Sequence, residues 1–153
     1  MLRLGVIAVL LLTVFTVLLG ASRSSAHATV EHSCGLTDRE FLQISSFQIE
    51  SVAVSGDDYL HGNTKAKDLI EVSHEAARAV RETAPFDTSL QTVRRYLPGM
   101  FLRYADAVRL REAGKDSAPD MYRAYAIGAR VKDVLREAKP ALTAAGCDVS
   151  GLL

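Results

Sequence analysis

The stretch "DLIEVSHEAARAVRETAP", residues 68–85, decides the fold class. Its apolar residues Leu69, Val72, Ala76 and Val80 recur at three- and four-residue steps, with charged residues between them. On a helix of 3.6 residues per turn this spacing gathers one apolar stripe and leaves the rest of the surface to water. Pro85 closes the block, because it has no N–H to donate and its ring keeps Ala84 out of the helical region.

The same period recurs on both sides. Upstream, Thr37-Asp38-Arg39-Glu40 reads as a capping box, in which Thr37 and Glu40 satisfy each other's free backbone N–H groups. Phe41, Ile44, Ile49, Val52 and Ala53 then form an expected buried face, with Gly56 as the expected stop. The segment that follows reads as a turn, or as more helix broken near Gly62-Asn63. Downstream, Asp87 or Thr88 caps a block carrying Leu90, Val93, Leu97, Phe101, Ala105 and Val108 up to Gly114. Pro98-Gly99 in its middle predicts a kink or a split. The last block starts near Ser117, with Pro119 in the first turn where its missing N–H does no harm. Met121, Tyr125, Val131, Val134, Leu135 and Ala138 follow, Pro140 is expected to bend or end the segment, and residues 141–147 to add a short last turn. Four amphipathic blocks with short connections predict an all-α, up-and-down four-helix bundle.

The chain opens differently. A basic start (Met1–Arg3) precedes the apolar run "LGVIAVLLLTVFTVLL", residues 4–19, and a polar stretch ends in Ala26-His27-Ala28. That order predicts a secretory signal peptide over residues 1–28, cut before Thr29, and a single helical domain over residues 29–153. The rival is a retained membrane anchor, since the run is near the minimum that spans a bilayer. Lipidation of Cys34 is not expected, because Glu31 and His32 do not suit the processing enzyme. Composition and length resemble those of small exported bacterial helical proteins, with no diagnostic motif from which to carry a function.

Without residues 1–28 the formal charge is −2, too weak to imply a nucleic-acid or membrane-surface partner. Residues 29–75 carry −6 and residues 76–153 carry +4, so the halves are expected to attract each other within one bundle.

Four antiparallel helices return the chain to its starting end, which places Cys34 near Cys147. In an oxidising compartment that predicts a Cys34–Cys147 disulfide. No C-x-x-C occurs, so thiol-exchange chemistry is not expected. Metal readings are thin. Glu71 and His74 match half of a di-iron helix pattern, but no second copy exists. His32, His61 and His74 read as solvated surface residues.

Tyr96, Met100 and Tyr104 stand at i, i+4 and i+8, and Tyr125 joins them from the fourth block. They could line a pocket for haem or another flat apolar ligand, or simply pack with their phenols at the surface. A c-type haem is excluded, as C-x-x-C-H is missing. Arg94, Arg95 and Arg103 form a candidate partner-binding face, or a solvated one. No nucleophile elbow, zinc-protease helix, phosphate loop or dinucleotide fingerprint occurs, so no catalytic residue and no metal site is assigned. The expectation is a secreted or cell-envelope interaction module, with a carrier of haem or a small apolar ligand as the alternative.

Overall fold

The computed structural model describes residues 33–153, and the signal-peptide and His32 readings lie outside that range. Four helices follow in order: α1 (Leu36–Leu60), α2 (Ala66–Glu82), α3 (Thr88–Glu112) and α4 (Ala118–Ala144), with a 3-10 turn at Ser150–Leu152. No strand occurs among the described residues.

Helix α1 starts one residue before the expected capping box, with Gly35 at its cap. Thr37 and Glu40 therefore lie exposed inside it, and the capping carboxylate belongs to Asp38, whose Oδ2 stands 3.4 Å from the Gly35 N–H. Asp38 also does more. Its Oδ1 accepts from the backbone N–H groups of Phe86 (2.6 Å) and Asp87 (3.0 Å), so one buried carboxylate stitches the start of α1 to the α2–α3 loop.

Gly56 does not stop the helix. It is buried within α1, and the chain turns only at Gly62, whose φ of +76° is a conformation that favours glycine. The buried face of α1 runs through Phe41, Leu42, Ser45, Val52 and Gly56, whereas Ile44 and Ile49 are half-buried and Ala53 is exposed. Counting apolar residues missed Ser45 and Gly56, which occupy inward positions despite their chemistry.

Helix α2 buries Leu69, Ala76, Ala77 and Val80 and stops at Thr83, whose hydroxyl donates to the Val80 carbonyl at 2.6 Å. Asp87 caps α3 as expected, its carboxylate accepting from Ser89 and Leu90. Pro98 does not split α3. It removes one backbone donor, but Leu97 and Phe101 beside it are buried and hold both halves on one packed face. Pro140 likewise lies within α4, which continues through residues 141–144.

Each helix packs on the next, while direct packing between α1 and α4 is sparse. Closure comes at one end from the Cys34–Cys147 disulfide, with Cα atoms 5.2 Å apart, and from the Cys34 N–H donating to the Ala145 carbonyl at 2.7 Å. From there the C-terminal tail wedges between the two helices and buries Val149 and Leu152. Ser46 of α1 donates to the Gly151 carbonyl at 3.3 Å, and the Lys132 ammonium of α4 donates to the Leu153 carbonyl at 2.9 Å. Ser46 lies ~15 Å along α1, so the wedge reaches less than halfway down the bundle.

Candidate functional site

Beyond the wedge, the space between α1 and α4 opens into a cleft of about 490 Å³ at the end opposite the disulfide. Tyr59 and Leu60 line it from α1, Tyr104, Val108 and Arg111 from α3, and Met121 and Tyr125 from α4. The α3–α4 loop, with Lys115, Asp116 and Ser117, forms the rim.

Tyr104 is half-buried, with its hydroxyl turned toward Gly56. A Cβ at that glycine would stand 2.5 Å from the oxygen, so the phenol can lie there only because position 56 has no side chain. The Tyr59 hydroxyl donates to Glu112 Oε1 at 2.7 Å, and the Arg111 guanidinium lies 5.8 Å from the Tyr59 ring centroid, within cation–π range. Both phenols hold their protons more tightly than a free tyrosine. For Tyr59 the main cause is the hydrogen bond to Glu112, followed by burial. For Tyr104 it is burial, followed by the nearby Tyr125. At neutral pH both are therefore hydrogen-bond donors. No acceptor among the described residues takes the Tyr104 proton, and no carboxylate among them pairs with Lys115. Asp116 is engaged, its Oδ1 accepting from the Ala118 N–H at 3.0 Å.

Of the four aromatic and methionine candidates, the cleft unites Tyr104 and Tyr125. Tyr96 stays outside it, and Met100 packs between α3 and α4, where a Cβ at Gly128 would come 3.1 Å from its Sδ. Four-residue steps advance about 40° around a helix, so by the second step the i, i+4, i+8 stripe has rotated through about 80°.

The arginines do not converge either. Arg94 is half-buried and donates to the Arg81 carbonyl near the end of α2, while Arg95 is exposed. Arg103 lies 3.3 Å from Asp120 and 3.8 Å from Asp106. Arg109 joins Asp106 at 2.9 Å and Arg123 joins Asp120 at 3.3 Å, which makes a ladder fastening α4 to α3. The expected attraction between chain halves is not expressed as ion pairs: among the described residues none joins α1 to α3 or α4. His61, just past the end of α1, meets Asp57 in its last turn, and no cluster of three or more metal-ligating side chains occurs among the described residues.

Tyr59 and Lys115 escaped the sequence reading. Tyr59 follows Gly56, so placing the helix end at that glycine turned a cleft wall into a turn residue. Lys115 sits in a polar loop and carries no local signal.

No protein-family model, curated protein or solved structure matches the chain. Fold and cleft define it by architecture alone: the described residues form an all-α, four-helix unit, tied at one end by a disulfide and open at the other. No described helix is long and apolar enough to cross a membrane.

Proposed function

We propose that this is an exported, non-enzymatic binding protein, and that the cleft takes a small, flat, apolar molecule bearing an anionic group. The observation that carries the reading is that Tyr104, whose phenol has no acceptor among the described residues, and Lys115, whose ammonium has no carboxylate partner among them, both line one mainly apolar hollow. Its volume falls in the range of small-ligand sites, and convergent polar groups in an apolar pocket set orientation. The aromatic walls suit a planar ligand, and Lys115 and Arg111 suit its charge. Haem belongs to this class, with Tyr104, Met121 and Tyr125 as the available ligating side chains. Export rests on the leader-like order of residues 1–28 together with a disulfide that an oxidising compartment would maintain.

The test titrates exported, disulfide-intact protein with haemin, followed by its Soret band, and with anilinonaphthalene sulfonate, followed by fluorescence. Saturable binding of either, weakened at least tenfold by Tyr104→Ala and by Lys115→Glu, is expected. Binding of neither probe, or binding unchanged in both variants, rules the cleft out. The amino-terminal residue of the recovered protein, expected to be Thr29, tests the leader.

A further inference from the structure

We infer that the outer face of α1 docks a cationic amphipathic helix of a partner protein. Three large apolar side chains are exposed there: Leu36 at 85%, Phe47 at 64% and Val54 at 56%. Their spacings of eleven and seven residues are close to three and two helical turns, so they share one line within about 20° and span ~27 Å. Apolar residues scattered singly over a surface need no explanation, but three aligned along a helix form a recognition stripe.

The flanks specify the partner's charge. Glu40 and Glu50 border the stripe and have no partner among the described residues. Asp57 meets His61 just past the end of the helix, and leaving aside buried Asp38, α1 carries Glu40, Glu50, Asp57 and Asp58 against Arg39, a formal −3. Arg39 is the one base on α1, and among the described residues no ion pair reaches α1 from another helix. A second copy of the chain fits poorly. A two-fold contact would set the same acidic flanks against each other, and like-charge juxtaposition is costly. A helix with an apolar stripe and lysine or arginine on both sides satisfies the stripe and the flanks together. The stripe lies off the cleft, so the inference does not depend on the ligand reading.

The probe is a fluorescein-labelled synthetic helix of 21 residues, leucine on one face and lysine beside it. Its control is the same peptide with glutamate replacing lysine. Added to the exported chain with its disulfide intact, the lysine peptide should give a saturable anisotropy rise and the glutamate peptide none. Phe47→Ser/Val54→Ser and Glu40→Gln/Glu50→Gln should each weaken binding at least tenfold, with circular dichroism unchanged because all four positions are exposed. Equal binding by the Phe47→Ser/Val54→Ser variant would reduce the effect to bulk charge and overturn the docking face. Binding of the glutamate peptide would overturn the charge assignment. A dimer in sedimentation that dissolves in the same variant would give the face to a second copy instead.

Discussion

The Tyr104 hydroxyl occupies the space that a side chain at position 56 would fill, 2.5 Å from where a Cβ would stand. The next ring atoms of Tyr104 lie at 3.6 and 3.9 Å, ordinary contact distances, so the conflict belongs to the oxygen alone. Gly56→Ala should gain ~1 kcal/mol of helix propensity but lose about 2 kcal/mol to overpacking, for a net loss near 1 kcal/mol. In a Tyr104→Phe background the same change should stabilise by about 1 kcal/mol. Urea denaturation of the four proteins measures the coupling. Additive effects would mean that the glycine is not there for the phenol.

Asp38 carries the other long-range tie at the disulfide end. Its carboxylate is buried and accepts two backbone N–H groups that lie almost fifty residues away in sequence. Asp38→Ala leaves both donors without a partner, and a loss of about 3 kcal/mol is expected. Asp38→Asn keeps one acceptor oxygen and should lose clearly less. Equal losses would show that the acceptor is not what matters.

The sequence made the helices and the disulfide readable, and the site much less so, for reasons that differ by residue. Leu69, Val72, Ala76 and Val80 show their period directly, and an even number of antiparallel helices makes the meeting of Cys34 with Cys147 follow from topology. Gly56 misled because glycine both ends helices and admits close neighbours, and only the position of Tyr104 distinguishes the two. Pro98 left a kink or a split open, and the helix stays unbroken because the packing of Leu97 and Phe101 outweighs the lost hydrogen bond. Of the cleft, Tyr104 and Tyr125 were legible, while Tyr59 and Lys115 were not. Its walls come from α1, α3 and α4 and its rim from the α3–α4 loop, residues that no local motif joins.

Arg94 and Arg95 are adjacent in sequence but differ in role. Arg94 reaches the Arg81 carbonyl and is half-buried, whereas Arg95 is exposed. Arg94→Ala should cost about 1–2 kcal/mol through the lost bond and the lost packing of its stem. Arg95→Ala should stay within about 0.5 kcal/mol. Thermal melts of the two single variants decide the matter, and equal stability would remove Arg94 from the α2–α3 contact.

The disulfide closes a loop across a sequence separation of 113 residues. Cys34→Ala/Cys147→Ala should lower stability by roughly 4–5 kcal/mol on the chain-entropy account, with less in practice where the unfolded chain keeps structure. The loss should be local as well as global. Hydrogen exchange should quicken first at Val149 and Leu152, because the tail enters its wedge through Cys147. The cleft, at the opposite end, should bind its probe with little change in the oxidised protein and in this variant alike, provided both are assayed folded.

Alkaline pH acts on the cleft itself. The folded state raises the affinity of Tyr59 and Tyr104 for their protons, while the same phenols in the unfolded chain titrate near ~10. A raised folded-state value stabilises fully below the unfolded value, and the contribution disappears as pH climbs through the folded one. Stability should therefore begin to fall above about pH 10. Tyr104→Phe should flatten that decline by removing its share. Glu112→Gln should bring Tyr59 back toward its ordinary range, because it removes both the strongest acceptor and its negative charge. Absorbance at 295 nm follows the phenolates directly. Ionised Tyr104 is no longer a donor and repels an anion, so anilinonaphthalene sulfonate should leave the cleft over the same interval. Binding that persists unchanged after the phenol has titrated would place the probe elsewhere on the molecule.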